Sequence, residues 1–98
     1  MSLPIVFRAE ATEDVDSICR TLNMARPGFG DKFVERLTGK LQVIGSHPQA
    51  FAIVWRNVRA TKLKQFQYVV YYRVQADRIE IFAVVHSNRD SSTWKSRT

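Results

Sequence analysis

The chain has 98 residues and a net charge of +6, and 45% of its residues are apolar and 11% aromatic, which excludes a disordered chain. Its length favours a single domain spanning residues 1–98. No apolar run reaches the roughly 20 residues of a membrane helix, the N-terminus has no signal-peptide pattern, and the single cysteine excludes an internal disulfide, so we expect a cytoplasmic protein with no membrane contact.

The first half of the sequence predicts a strand followed by two helices. Residues 3–8 have the apolar character of a short strand. Residues 10–25 and 29–45 each show apolar residues at helical spacing on one side. Because only a short break containing Pro27 and Gly28 separates the two patterns, we expect an antiparallel helical hairpin. The two apolar stripes are Val15, Ile18, Cys19 and Leu22, and Phe29, Phe33, Leu37, Leu41 and Ile44.

The second half changes from helical spacing to the alternation typical of strands. Strands are predicted at residues 54–63, 66–74 and 78–86, with tight turns at 64–65 and 75–77. The last strand is apolar on both sides, which predicts a central place in the sheet. The element order therefore predicts an α+β domain with an N-terminal strand, a helical hairpin and an antiparallel three-stranded meander. Alternation in the last strand assigns one face to Ile79, Ile81, Ala83 and Val85 and the other to Phe82 and Val84.

The excess positive charge lies entirely in the second half of the chain. Residues 1–54 contain six Lys/Arg and six Asp/Glu, whereas residues 55–98 contain nine Lys/Arg and three Asp/Glu. An excess confined to one segment favours a polyanionic partner, either nucleic acid or an acidic protein segment. The alternative is a basic surface that serves only solvation. The residues predicted to bind such a target are Arg56, Arg59, Lys62, Lys64, Trp94 and Arg97.

The order of these patterns, together with the end of the chain, resembles the ParE/RelE superfamily of type II toxin–antitoxin toxins, also called plasmid-stabilisation proteins. One strand is similar to the superfamily's FxYxxxYRV pattern, through Phe66, Tyr68, Tyr72, Arg73 and Val74. The end of the chain is similar to its IxIxxVxHxxRDxxxWxxR finish, through Ile79, Ile81, Val84, His86, Arg89, Asp90, Trp94 and Arg97. This finish resembles the ParE-like side of the superfamily.

The resemblance implies a bacterial toxin that inhibits growth and is neutralised by a cognate antitoxin. The antitoxins of this superfamily wrap an amphipathic, acidic segment around the helices and sheet of the toxin. ParE-like members poison DNA gyrase, whereas RelE-like members are ribosome-dependent endonucleases that cut mRNA. The ParE-like finish favours gyrase, and the alternatives are an mRNA endonuclease and a toxin-fold binding protein without toxicity.

An endonuclease would need an acid, a base and cations around the phosphate. Imidazole transfers protons readily near neutral pH, so the catalytic candidates for a nuclease are His86, Arg73 and Arg89. Residues 55–66 contain neither a glutamate nor a second histidine, and no tyrosine follows Tyr72, so the acid–base set is incomplete. This gap favours a toxin that acts by binding.

The tail after the last strand also has a structural interpretation. His86 ends a strand and can serve packing and backbone hydrogen bonding, and Arg89 can pair with Asp90. Trp94 either stacks on a base of a nucleic acid or folds back over the sheet. The tail is too short for us to expect any structure of its own.

Nothing in the sequence indicates a bound cofactor. Cys19 lies on the apolar stripe of the first helix and is predicted to belong to the core, and His47 lies at the end of the second helix. The two histidines and the cysteine are too far apart for a metal-ligand spacing. We therefore expect no metal, no cofactor and no small-molecule substrate.

Overall fold

The chain forms a five-stranded sheet with two helices packed on one face, in a computed structural model that describes residues 3–98. The elements in chain order are β1 (Ile5–Phe7), α1 (Ala9–Ala25), α2 (Phe29–Ser46), β2 (Ile53–Trp55), β3 (Val58–Lys62), β4 (Tyr68–Val74), β5 (Ile79–His86) and α3 (Ser92–Lys95). The strand order is β1-β5-β4-β3-β2, with β1 parallel to β5 and the other neighbours antiparallel. The α+β class, the helical hairpin and the central place of β5 are confirmed. None of the helices in the described residues is long and apolar enough to cross a bilayer.

The prediction of one strand over residues 54–63 is wrong, because the chain reverses within that segment. Trp55 at the end of β2 lies opposite Val58 at the start of β3, and Arg56 in the turn between them takes a positive φ of 52°. Four antiparallel strands therefore follow the helices, rather than three. The added strand, β2, forms the edge of the sheet opposite β1.

The larger core lies between the helices and the sheet. The aromatic ring of Phe33 in α2 meets the rings of Phe66 and Tyr68 edge-on, at centroid distances of 5.6 and 5.5 Å. Cys19 packs partly buried against this core, as its place on the apolar stripe predicts. Full burial of one large apolar side chain contributes roughly 1.5–3 kcal/mol to folding. The buried members are Ala11, Ile18, Phe33, Leu37, Ile44, Leu63, Phe66, Val70, Tyr72, Ile79, Ile81 and Val84.

A β-bulge at Phe82 exchanges the two faces of β5. Tyr71 of β4 lies opposite Ala83, whereas Tyr72 lies opposite Ile81, so Phe82 has no partner on β4. Side chains beyond the bulge therefore point to the faces opposite to those that simple alternation predicts. The exchanged residues are Ala83 and Val85, which point away from the helices, and Val84, which points toward them. This exchange builds a second, smaller core, with Val58, Phe82, Ala83, Val85 and Trp94 buried in it.

Candidate functional site

The C-terminal tail folds back across the sheet on the side away from α1 and α2. Trp94 in α3 is only 6% exposed, and its ring stacks on Tyr71 with a centroid distance of 4.4 Å and an interplanar angle of 17°. The same ring meets Trp55 edge-on at 5.9 Å. Asp90 holds the start of α3, because its Oδ1 accepts a hydrogen bond from the Ser92 N–H at 2.8 Å. The expectation of a tail without structure is therefore wrong, and Trp94 takes the interpretation in which it folds back over the sheet.

An ion pair between Asp14 and Arg97 fastens the end of the chain to the first helix. Arg97 donates two hydrogen bonds to the Asp14 carboxylate, at 2.6 and 3.1 Å, and the side chains are 19% and 15% exposed. Arg97 also donates to the carbonyl oxygen of Phe82 at 3.2 Å, while Asp14 accepts from the Val84 N–H at 3.0 Å. Hydrogen bonding to Asp14 raises the pKa of Arg97 above its usual value. Because β1 ends before this part of β5, the pair satisfies backbone groups of the bulge at an otherwise open strand edge.

Four of the nine cations in residues 55–98 have hydrogen-bond or ion-pair partners within the chain. Three of them form ion pairs and one donates to two backbone carbonyls. They are Arg73 with Glu80 at 3.1 Å, Arg78 with Asp77 at 3.2 Å, Arg97 with Asp14 at 2.6 Å, and Arg59 with the carbonyl oxygens of Gln49 and Phe51 at 3.3 and 2.7 Å. The cationic surface is therefore narrower than the sequence predicts. Within residues 3–98, the second-half cations without an ion pair or a side-chain hydrogen bond are Arg56, Lys62, Lys64, Arg89 and Lys95.

Three of these cations lie on the sheet face that the tail crosses. The Arg56 guanidinium lies 4.2 Å from the centre of the Trp55 ring, and the Lys95 ammonium lies 5.3 Å from the same centre. Lys62 is an even number of residues from Val58, whose side chain is buried on this face, so it shares the same side of β3. We call this surface the tail face and define it by Trp55, Arg56, Lys62, Tyr71, Trp94 and Lys95. A partly exposed aromatic surface with cations over its rings is suited to an acidic or anionic partner.

The three nuclease candidates are not brought together. Arg73 lies opposite Glu80, whereas His86 lies opposite Tyr68, five positions along β4 and so roughly 17 Å away along the strand. The His86 ring packs edge-on against Tyr68, at a centroid distance of 5.3 Å. His86 shares a cleft with Arg89 but not with Arg73. Within the described part of the chain, no group of three or more His, Cys, Asp and Glu side chains is placed to hold a metal ion.

Two residues that help to build the site, Asp14 and Lys95, were not predicted from the sequence. Asp14 is one of four acids near the start of α1, and nothing in that cluster singles out the carboxylate that reaches Arg97. Lys95 lies between Trp94 and Arg97, two residues predicted to bind the target. Its place over the indole rings depends on the position of Trp55. No spacing in the sequence signals either contact, because each depends on how the tail crosses the sheet.

The fold is one found in type II toxin–antitoxin systems. A chain from the "chromosomal ParDE TA system from P. aeruginosa" aligns with a TM-score of 0.76 over 87% of this chain and 96% of that chain, at 17% sequence identity. No curated protein matches the sequence. The family described as "ParE toxin of type II toxin-antitoxin system, parDE" matches residues 5–91. The chain belongs to this ParE toxin family, as its closing residues predicted, and a toxin of such a system has a cognate antitoxin as its partner.

Proposed function

We propose that this toxin inhibits bacterial growth in the cytoplasm by binding DNA gyrase, and that it does so through the tail face. The observation that carries the proposal is the placement of Arg56 and Lys95 over one indole ring, at 4.2 and 5.3 Å from its centre. Among the described residues, neither cation has a carboxylate partner. An acidic surface of the target supplies the missing counter-charges, which speeds encounter and fixes orientation.

The predicted target-binding residues take two different roles in this proposal. One group touches the target, and it consists of Arg56 and Lys62 on the tail face and Lys64 in the adjacent turn. The other group holds the tail face in shape from within the fold. Its members are Trp94, which stacks on Tyr71, Arg97, which pairs with Asp14, and Arg59, which holds the segment after α2.

The antitoxin is proposed to cover a different surface. An open groove of about 400 Å³ runs between β1 and α2, with Leu3, Ile5 and Leu41 in its lining. Val34 and Val43 on α2 remain 41% and 45% exposed. An amphipathic, acidic segment of the antitoxin buries such a surface with its apolar side.

A supercoiling assay with purified gyrase tests the target. The unmodified toxin is expected to inhibit supercoiling, and the double variant Arg56→Gln/Lys95→Gln to need about tenfold more protein, which corresponds to about 1.4 kcal/mol. Arg20→Gln is the matched control, because it removes an exposed cation from α1.

Three results would contradict the proposal. If a large molar excess of toxin leaves supercoiling unchanged, gyrase is not the target. If ribosome-bound mRNA is cut at specific codons and His86→Ala abolishes the cuts, the endonuclease alternative replaces it. Harmless overexpression without the antitoxin would identify a binding protein that has lost toxicity.

A further inference from the structure

A polar cleft of about 210 Å³ opens between α1 and the end of β5, beyond the point where β1 covers the strand edge. Ser17 and Thr21 line it from α1, and His86 and Arg89 line it from the sheet side. We propose that this cleft binds the phosphate group of a nucleotide or a nucleic acid. The site goes beyond the proposed function, because it involves no residue of the tail face.

The cleft is rich in hydrogen-bond donors. The Nδ1 atom of His86 accepts a hydrogen bond from the Asn88 N–H at 3.1 Å. In a neutral imidazole this arrangement leaves the Nε2–H as a donor. Ser17 and Thr21 are four residues apart on α1, so their hydroxyl groups lie on the same side of the helix. Phosphate oxygens accept hydrogen bonds from all three of these side chains.

Arg89 supplies the charge for an anion. The Arg89 N–H donates to the carbonyl oxygen of His86 at 3.0 Å, and this tight turn keeps the two residues beside the same cleft. Within residues 3–98, the Arg89 guanidinium forms no ion pair, and its predicted pairing with Asp90 is absent. An unpaired guanidinium offers the planar, bidentate donors that match a phosphate group.

The only acid among the described lining residues is already neutralised. Asp14 borders the cleft, but its carboxylate accepts two hydrogen bonds from Arg97 and one from the Val84 N–H. A carboxylate engaged in this way repels an incoming anion far less than a free one. Arg97 is thus a positioning residue for the cleft, and the net charge that a ligand meets there comes from Arg89.

Backbone NMR titration of the full chain at fixed ionic strength tests the site. The ligands are inorganic phosphate, adenosine 5′-monophosphate, and short single-stranded DNA and RNA oligonucleotides. We expect saturable shifts at the amides of Ser17, Thr21, His86 and Arg89, with smaller changes on the tail face. Saturation by the monophosphate identifies a free nucleotide as the source of the phosphate, whereas saturation by oligonucleotides alone identifies a nucleic-acid backbone.

Variants distinguish a specific phosphate site in the cleft from a general attraction of anions to a basic protein. Arg89→Gln is expected to weaken binding about tenfold or more, because it removes the charged, bidentate donor of the cleft. Lys32→Gln removes an exposed cation of α2 outside the cleft and is expected to change affinity less than twofold. Ser17→Ala/Thr21→Ala removes two exposed hydroxyl groups and one exposed methyl group, and is expected to weaken binding while the fold is kept. Equal losses in Arg89→Gln and Lys32→Gln, or no shift at the cleft with any of the ligands, would overturn the proposal.

Discussion

Asp14 in the first helix and Arg97 near the end of the chain are joined by hydrogen bonds of 2.6 and 3.1 Å, across 83 positions of sequence. The pair does two things at once. It fixes the last turn after α3, and it occupies the edge of β5 where the bulge leaves the carbonyl of Phe82 and the N–H of Val84 without a neighbouring strand. Because a buried strand edge without partners is costly, this pair is expected to be one of the more stabilising polar contacts in the molecule.

Loss of this ion pair is expected to lower stability measurably. Arg97→Gln removes the guanidinium and leaves a largely buried carboxylate, so we expect the free energy of unfolding to fall by about 2 kcal/mol. Urea denaturation followed by circular dichroism gives the value. The control is Asp77→Asn, which breaks the exposed pair with Arg78 and is expected to cost about 0.5 kcal/mol or less. Similar losses in the two variants would show that the Asp14–Arg97 pair contributes no more than a surface contact.

The contact between α1 and α2 predicts different effects for two glycine substitutions in the same helix. A Cβ on Gly39 meets nothing within 4 Å, so Gly39→Ala is expected to stabilise by about 0.5–1 kcal/mol through helix propensity. A Cβ on Gly30 would lie 2.7 Å from the side-chain amide of Asn23, which accepts a hydrogen bond from the Gly30 N–H at 2.9 Å. Gly30→Ala forces Asn23 to give up that bond and should end about 1 kcal/mol less stable than Gly39→Ala.

Introducing Gly30→Ala into the Asn23→Ala variant tests whether the Asn23 side chain causes this difference in stability. In Asn23→Ala the obstructing side chain is gone, so Gly30→Ala is expected to become stabilising there. Thermal unfolding of the four proteins in the cycle measures the coupling. If Gly30→Ala has the same effect with and without Asn23, the close approach does not limit this position.

The docking of α3 is expected to depend on acid pH through Asp90. The backbone N–H of Ser92, followed by its side chain, lowers the pKa of the Asp90 carboxyl below its ordinary value of 3.8. A lowered pKa means that the folded tail favours the ionised form. The stabilisation that the Asp90 carboxylate gives to the folded tail is therefore fully present above the ordinary pKa, and it is lost as the pH falls through the lowered pKa.

The indole N–H resonance of Trp94 reports this transition, because the ring leaves Tyr71 when the tail is released. Between pH 6 and about 2 the resonance should move toward its unfolded position before the amides of the larger core change. Asp90→Asn is expected to remove the pH dependence of this early step. A Trp94 resonance that moves only together with global unfolding would contradict the prediction.

Association with the antitoxin is expected to slow as salt is added. The toxin carries a net charge of +6, and an acidic partner segment is steered toward it over distances of about a Debye length, which shortens from about 10 Å at 0.1 M to 3 Å at 1 M. Stopped-flow measurement of the association rate at several salt concentrations gives the slope. A rate that stays flat across this range would show that steering is unimportant, even if the complex is tight.

The helices α1 and α2 were predictable to within about a residue, and the reasons are local. Their apolar stripes repeat at helical spacing, and Pro27 with Gly28 separates them. The turn at Arg56 was missed because a positively charged residue at positive φ carries none of the usual glycine signal, although Asn57 beside it is a common turn residue.

The arrangement of the site depended on contacts that no local pattern contains. The sequence Ile81 to Val85 is apolar throughout, so alternation cannot reveal where Phe82 leaves the register. The charged residues of the second half were predictable, but their partners were not. Arg97 and Asp14 meet only because the tail crosses the sheet, and the tail crosses the sheet because the bulge turns apolar side chains toward Trp94.

The parallel pairing of β1 with β5 has a consequence during translation. The first strand of the chain can take its place only when the last strand has been made, since Ile5 lies opposite Ile79 and Phe7 opposite Ile81. Nascent domains begin to fold from the N-terminus, but here the earliest segment waits longest for its neighbour. A product terminated before β5 therefore lacks both this pairing and the tail that follows it, and with them the surface proposed to act on the host.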